Sequence, residues 1–123
     1  QGATVLIEPL NRYDAPGYFL RDADQAAAII GRLGRANLRL MFDCYHLQIM
    51  QGDLTRLLTR MAPITGHIQF AGVPDRGTPD RGEVNYRHIF AHIDGLGWDR
   101  PLGAEYKPQG PTGASLGWME TLR

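Results

Sequence analysis

The stretch LRLMFDCYH, residues 38 to 46, decides the fold class because an apolar run is followed directly by an acid, a thiol, a phenol and an imidazole. Interior strands of a parallel sheet are near-continuous apolar runs, and ligands bind beyond their carboxyl ends. The stretch therefore predicts a buried strand with Asp43 and His46 at its functional end. Because side chains alternate along a strand, Cys44 is predicted to point away from Asp43 and to serve packing.

Three further stretches repeat this plan, since each is short, apolar and closed by a polar side chain. They are TVLIE at 4–8, the segment 64–71 that contains GHIQF, and the segment 101–106 within PLGAEYK. Between the strands, apolar residues at helical spacing predict helices over 22–33, 53–61 and 86–96, with a short terminal helix over 115–122. The irregular segment 72–85 is long for a compact domain, and such loops commonly carry function.

Four strand-plus-helix units of roughly 30 residues each imply a parallel sheet, because parallel neighbours need crossover connections. Two architectures fit: a small open α/β sheet, or four of the eight units of a (β/α)8 TIM barrel. Polar groups at all four strand ends favour the barrel, since an open sheet places its site at one switch point. We therefore predict an α/β half-barrel in which residues 1–123 form one partial domain.

The overall composition excludes several classes of protein. The chain has 123 residues, of which 43% are hydrophobic and 21% charged, which is typical of a globular domain rather than a disordered or collagen-like one. Thirteen basic and thirteen acidic residues give a net charge of zero. This balance favours neither nucleic acid nor an anionic membrane as a partner.

Cysteine usage and the chain ends suggest a cellular setting. Cys44 is the single cysteine, so no disulfide forms within the chain, and no apolar run approaches the length of a membrane span. We therefore predict a reducing, cytoplasmic setting. The chain starts at Gln1 without a signal-like segment, which we interpret as a truncated N-terminus. The two unpaired edges of a half-barrel predict a homo-oligomer or pairing with the absent half.

The polar side chains at the four strand ends are Glu8, Asp43, Gln69 and Glu105. Three converging carboxylates would repel one another and raise their own pKa values, whereas a divalent cation would neutralise them. All four are hard oxygen donors, so the sequence predicts a site for Mg²⁺ or Mn²⁺. The alternative for each residue is a local role: a turn former, a cap or, for Gln69, a partner on the backbone.

Three further residues are candidates for binding a substrate. His46 is either a group that orients or protonates a substrate oxygen or a hydrogen-bonded structural histidine. Arg76, in the long loop, can reach over the strand ends and hold an anion. Lys107 lies two residues beyond Glu105 and points the same way, so it either holds a substrate carboxylate or is an exposed strand-end lysine.

Four motifs together resemble a known family. They are IEPLN at 7–11, FDCYHLQIMQGDL at 42–54, GHIQFAGVPDRGTPDRGEVNY at 66–86 and GAEYKPQG at 103–110. The chain is similar to the C-terminal half of hydroxypyruvate isomerase and its relative 2-oxo-tetronate isomerase, both in the xylose-isomerase-like barrel superfamily. The resemblance covers nearly the whole chain and implies a (β/α)8 barrel about twice as long, of which strands five to eight are present.

The resemblance also implies an activity. Enzymes of this family interconvert an α-hydroxy aldehyde and a ketone through an enediol, and the expected reaction is hydroxypyruvate to tartronate semialdehyde. The four strand-end side chains match the metal ligands of the family. Glu8 and Glu105 would remove and return the proton on carbon, His46 would bond a substrate oxygen, and Arg76 and Lys107 would hold the carboxylate of a small hydroxy-oxo acid.

Two other functions remain open. The same superfamily includes metal-dependent endonucleases that cut DNA at abasic sites, but a multi-zinc centre needs further His and Asp ligands. The long loop carries Asp80-Arg81-Gly82 where an Asp-x-His pair would be required, and the net charge of zero also disfavours DNA. The third function is a non-catalytic barrel fragment.

Overall fold

The computed structural model describes residues 2–122 as one parallel sheet flanked by helices. Its four strands lie in the order β1-β2-β3-β4, and every neighbouring pair is parallel. The predicted parallel α/β fold is therefore confirmed. The strands are β1 (Val5–Ile7), β2 (Leu38–Asp43), β3 (Thr65–Phe70) and β4 (Leu102–Ala104). The helices are α1 (Ala23–Leu33), α2 (Cys44–Met50), α3 (Leu54–Met61), α4 (Tyr86–Gly95) and α5 (Trp118–Thr121), with 3₁₀ turns at Ala62–Ile64 and Thr112–Ser115.

Helix α1 shows why the sequence folds as predicted between the first two strands. The Asp22 side chain accepts a hydrogen bond from the backbone N–H of Gln25 at 2.7 Å, which caps the first turn. Gly34 ends the helix in the left-handed region at φ 57°, and its N–H donates to the Ile30 carbonyl. The chain then returns directly into β2.

The strand predicted over residues 38–46 is three residues too long. It ends at Asp43, whose carboxylate accepts the backbone N–H of Tyr45 at 2.8 Å and so caps α2. Cys44 is therefore the first residue of a helix, and the predicted strand alternation was wrong for it. It is nevertheless completely buried in the core, in agreement with a packing role.

The outer strands and the chain end also differ from the prediction. Strand β4 has three residues rather than six, and Glu105 follows it with its N–H bonded to the Phe70 carbonyl at 3.0 Å. Strand β1 ends before Glu8. The short terminal helix predicted over 115–122 is present but shorter, since α5 begins only at Trp118 and a 3₁₀ turn, Thr112–Ser115, precedes it.

The core lies between one face of the sheet and the helices. Leu40, Phe42, Ile68 and Phe70 belong to one buried cluster, which also contains these helical residues: Ala26, Ile30, Leu57, Ile89 and Ile93. Alternate residues of the same strands, such as Met41 and Gln69, are only partly buried. None of the helices described between residues 2 and 122 is long and apolar enough to span a membrane.

Candidate active site

Glu8, Asp43 and His46 converge at the carboxyl ends of β1 and β2. One ligand atom of each lies within 4.8 Å of the others. Glu8 follows the last residue of β1, Asp43 ends β2, and His46 lies in the first turn of α2. The predicted strand at 38–46 is thus a strand and a helix start that together bring two of these groups to one point.

The two oxygens of the Asp43 carboxylate have different environments. Oδ1 caps α2 through the Tyr45 N–H, whereas Oδ2 is buried and has no hydrogen-bond partner within residues 2–122. Burial raises the pKa of Asp43 from 3.8 to about 6, and the nearby Glu105 charge acts in the same direction. A cation bound beside Oδ2 would lower this pKa and stabilise the ionised carboxylate.

The pKa of Glu8 is also raised by its surroundings. Burial, followed by the charges of Asp43 and Glu105, raises the pKa of Glu8 from 4.5 to about 7. Its Oε1 is also buried without a hydrogen-bond partner among the described residues. Two acidic groups with raised pKa values at one place are typical of functional sites.

His46 is buried and neutral at ordinary pH. Burial lowers the pKa of its imidazole from 6.5 to about 4, and the Arg76 charge adds to this effect. Its Nε2 lies 3.9 Å from Glu8 Oε1 and 3.9 Å from Asp43 Oδ2, so with a neutral ring these contacts are not ion pairs. Its other nitrogen, Nδ1, receives the backbone N–H of Asn11 at 3.0 Å.

Arg76 extends from the long loop to the acidic groups of Glu105, Asp43 and Asp14. Its Nη2 binds Glu105 Oε2 at 2.7 Å and lies 4.0 Å from Asp43 Oδ2, while Nη1 lies 3.6 Å from Asp14 Oδ2. The guanidinium also stacks over the Tyr45 ring at 5.1 Å. The loop thus brings the Arg76 guanidinium to the strand ends, where the sequence predicted an anion-binding group.

Gln69 and Lys107 lie differently with respect to this cluster. Gln69 pairs in register with Asp43 on the neighbouring strand, and a Cβ at Gly103 would lie 2.9 Å from His67 Nε2 and 3.3 Å from Gln69 Cγ. Glycine at 103 therefore leaves room for the His67 and Gln69 side chains beside β4. Lys107 is exposed, and its backbone N–H donates to the Arg76 carbonyl at 2.7 Å. Its contact with the site is made by the backbone.

Three residues of the site were missed by the sequence analysis: Asn11, Asp14 and Tyr45. Asp14 Oδ2 accepts a hydrogen bond from the Tyr45 hydroxyl at 2.9 Å and from Asn11 Nδ2 at 3.2 Å. This network joins the loop after β1 to α2 and, through Arg76, to the loop after β3. The available signal was the cluster of polar residues directly after Glu8, since loops at the carboxyl ends of parallel strands carry function.

The cluster fits a hard divalent cation. Glu8 Oε1 and Asp43 Oδ2 are buried, each lies 3.9 Å from His46 Nε2, and both lack hydrogen-bond partners among residues 2–122. Two such oxygens with raised pKa values are the donors that Mg²⁺ or Mn²⁺ prefers in proteins. Binding a cation would satisfy both oxygens and remove the cause of their repulsion.

A parallel α/β sheet with an acidic site beyond its strand ends defines the class of (β/α) proteins whose ligands bind at the carboxyl edge of the sheet. The particular family follows from comparison with known proteins. Residues 1–122 match the family described as xylose isomerase-like TIM barrel. The chain belongs to this family.

Individual relatives agree with this assignment. The chain is 52% identical over 120 residues to 2-oxo-tetronate isomerase of Cupriavidus necator, covering 98% of this chain and 46% of that protein. It is 43% identical over 119 residues to hydroxypyruvate isomerase of Escherichia coli, covering 97% and 46%. A solved structure described as AP endonuclease, family 2 from Brucella melitensis superposes with a TM-score of 0.93 at 43% identity, over 99% of this chain and 47% of that one. The chain spans about half the length of these relatives.

Proposed function

We propose that the protein carrying this chain is an isomerase that interconverts hydroxypyruvate and tartronate semialdehyde with the help of a divalent metal ion. In this proposal the chain supplies the last four βα units, strands five to eight, of a (β/α)8 barrel. The observation that carries it is the convergence of Glu8, Asp43 and His46 at the strand ends, beside the Arg76–Glu105 pair. The names of the Escherichia coli and Cupriavidus necator relatives support an isomerase.

Glu8 and Asp43 would hold the metal ion, with Gln69 and Glu105 as the remaining ligands. A bound Mg²⁺ or Mn²⁺ supplies positive charge that stabilises negative charge on neighbouring substrate oxygens. Gln69 fits this role because it is in register with Asp43 on the adjacent strand. Glu105 fits it because it follows β4, which continues the same edge of the sheet.

The reaction moves one proton between neighbouring carbons. A proton leaves the hydroxyl-bearing carbon of hydroxypyruvate and a proton is added to the former carbonyl carbon, while the hydroxyl proton moves to the former carbonyl oxygen. No oxidant or reductant is consumed. Glu8 and Glu105 follow the two outermost strands of the sheet, so they approach a bound substrate from opposite flanks. We assign the removal and return of the carbon proton to this pair.

The remaining polar groups would orient the substrate. His46 Nε2 faces the space between Glu8 and Asp43, where it can bond a substrate oxygen. Arg76 lies beside the acidic cluster, with Nη2 4.0 Å from Asp43 Oδ2, and would bind the substrate carboxylate through two parallel hydrogen bonds. Lys107 would assist at longer range, from its exposed position beside the Arg76 loop.

Two alternatives are distinguished by substrate. Isomerisation of 2-oxo-tetronate is the alternative within the same class, and the name of the Cupriavidus necator relative supports it. Cleavage of abasic DNA is the alternative from another class, suggested by the description of the Brucella melitensis structure. The site argues against it, because the acidic cluster of the described residues contains one histidine, whereas a multi-zinc centre needs several nitrogen ligands.

The test measures conversion of hydroxypyruvate to tartronate semialdehyde and of 2-oxo-tetronate to its isomer, before and after treatment with a chelator. We expect metal-dependent turnover of hydroxypyruvate and restoration by Mg²⁺ or Mn²⁺. Activity that is indifferent to the chelator would overturn the metal assignment. An abasic DNA duplex incubated with the same preparation should remain uncut, and its cleavage would favour the nuclease.

The proposed function also implies a cellular location and binding partners. A cytoplasmic isomerase of a small acid needs neither nucleic acid nor membrane as a partner. In the described residues the strand face that carries Met41 and Gln69 is only partly covered, and parallel sheets are normally buried on both faces. We propose that the other half of the barrel, or a second protomer, covers this face.

A further inference from the structure

Asn11 is a completely buried polar residue in the loop after β1. Its Oδ1 accepts the backbone N–H groups of Tyr13 and Asp14, each at 3.0 Å. Because backbone N–H groups can only donate, they fix which end of the amide is the oxygen. Nδ2 therefore points the other way, and it lies 2.8 Å from His46 Nδ1.

His46 Nδ1 is consequently surrounded by donors. The backbone N–H of Asn11 donates to it at 3.0 Å, in addition to the Nδ2 group of the same residue. A ring nitrogen that accepts hydrogen bonds cannot carry a proton, and a neutral imidazole carries one proton on one of its two nitrogens. The proton of His46 is therefore on Nε2.

The proton on Nε2 determines which interactions His46 can make in the cluster. Nε2 lies 3.9 Å from both Glu8 Oε1 and Asp43 Oδ2, too far for a hydrogen bond to either, and it has no partner among residues 2–122. A metal ligand needs a free lone pair on nitrogen, and Nδ1 is engaged while Nε2 is protonated. The geometric triad of Glu8, Asp43 and His46 is thus two acceptors and one donor.

We propose that Asn11 is a positioning residue that fixes the tautomer of His46, so that Nε2–H is a hydrogen-bond donor to an oxygen of the bound substrate and not a metal ligand. The identity of that oxygen rests on the proposed function. The tautomer and the exclusion of His46 from the metal do not, and they are measured without substrate.

The first measurement is ¹⁵N NMR of the histidine side chains in the protein that carries this chain, with the His46 signal identified by its loss in His46→Gln. We expect an unprotonated Nδ1 and a protonated Nε2. A protonated Nδ1, or an equal mixture of the two tautomers, overturns the proposal.

The variant Asn11→Asp tests the role of Asn11 itself. The carboxylate keeps the acceptors used by the Tyr13 and Asp14 N–H groups but replaces the Nδ2 donor with an acceptor beside Nδ1. We expect a measurable population of protonated Nδ1 at His46. An unchanged tautomer in a folded variant would show that Asn11 does not control the ring through its side chain. If the variant fails to fold, Asn11→Ser, which also keeps an acceptor for the loop N–H groups, is measured in its place.

Metal binding is measured by calorimetric titration of metal-free protein with Mn²⁺ alone. His46→Leu, which offers the metal no ligand atom, should bind Mn²⁺ within about threefold of the unsubstituted protein, whereas loss of a true ligand weakens binding by more than about 100-fold, a loss larger than most outer-sphere changes. A 100-fold loss in His46→Leu would make His46 a ligand and overturn the proposal. Absence of isomerase activity would refute the proposed function. The measurements of the His46 tautomer and of Mn²⁺ affinity would still test the present proposal.

Discussion

Nη2 of Arg76 lies 2.7 Å from Oε2 of Glu105, and this ion pair closes the site at the end of β4. The same nitrogen lies 4.0 Å from Asp43 Oδ2, and the neighbouring Nη1 lies 3.6 Å from Asp14. A single guanidinium thus faces three acidic groups, while Glu8 lies close enough for the Glu105 charge to affect its pKa. Arg76 compensates only part of the negative charge. A divalent cation would compensate the rest and free Arg76 for an anionic substrate.

Replacing Arg76 by Met should tighten metal binding and weaken substrate binding. Removal of a cation within about 4 Å of the acidic groups increases their attraction for a second cation, and we expect the Kd for Mn²⁺ to fall roughly tenfold. The KM for the substrate acid should rise. Calorimetric titration of metal-free protein and steady-state kinetics measure the two effects.

The matched control is Arg81→Met, since Arg81 lies in the same loop and its Nε donates a hydrogen bond to Thr78 Oγ1 at 3.2 Å. It should change neither quantity. Weaker Mn²⁺ binding in Arg76→Met would instead mean that Arg76 organises the carboxylates for the metal.

Asp43→Asn should abolish metal binding without unfolding the protein. Asparagine caps helices as well as aspartate does, so the Tyr45 N–H keeps its acceptor and α2 its N-cap. The substitution removes only a buried charge whose pKa is raised to about 6, so the metal-free Tm should be unchanged or higher. The rise in Tm that Mn²⁺ produces should disappear. Asp22→Asn, the same change at the cap of α1, should retain the full Mn²⁺ effect.

Metal affinity should depend on pH through Glu8 and Asp43. Their pKa values are raised from 4.5 to about 7 and from 3.8 to about 6, so the metal-free protein retains protons that a cation must displace. Below pH 6 the Kd for Mn²⁺ should rise about tenfold per pH unit for each proton displaced, and it should level off above pH 7. Calorimetry in buffers of different ionisation enthalpy counts the protons released. A Kd that is constant from pH 5 to 8 would contradict the raised values.

The same shifts predict a pH effect on the metal-free protein. The protonated carboxyls contribute stability that is fully present below about pH 4 and is lost as pH rises through 7, because ionised carboxylates must then be held in a buried site. His46, with its pKa lowered to about 4, acts in the opposite direction between pH 4 and 6.5. Denaturation of His46→Gln without metal should therefore show the steeper loss of stability with rising pH.

Glu105→Gln should reduce turnover about 10²- to 10⁴-fold, the usual contribution of a group that transfers a proton in the rate-limiting step. The amide keeps the size of the side chain and can no longer exchange a proton with carbon. Glu83→Gln is a suitable control, because Glu83 is exposed and its carboxylate contacts Gln48 outside the cluster. Full turnover by Glu105→Gln would exclude Glu105 from the proton transfer.

Gly82→Ala should disrupt the loop that carries Arg76. Gly82 has φ 99°, and a Cβ there would lie 2.1 Å from the Val73 carbonyl oxygen. Backbone strain together with this clash should cost roughly 3 kcal/mol. Gly110→Ala introduces a side chain at φ 111° with nothing within 4 Å, so it isolates the strain alone, about 1 kcal/mol. Urea denaturation compares the two. Equal losses would show that packing against Val73 does not hold the loop.

The sequence by itself determined the parallel α/β fold and the positions of the polar groups. Apolar runs of the β2 and β3 type and helical spacing such as that of α1 are local patterns, since each element must bury one face. The resemblance of four motifs also indicated the family before any coordinates. The predicted carboxylates lie at the strand ends because parallel strands all present their carboxyl ends at one edge.

Only the tertiary structure decided how these groups meet. The end of β2 at Asp43 depends on a side chain that caps the next helix, which an apolar pattern does not reveal. The pairing of Arg76 with Glu105, the raised pKa of Glu8 and the donors that Asn11 directs at His46 all join residues far apart in the chain. Distances and burial between distant segments arise from packing, so the charge and proton positions of the site were fixed only when the strands were assembled.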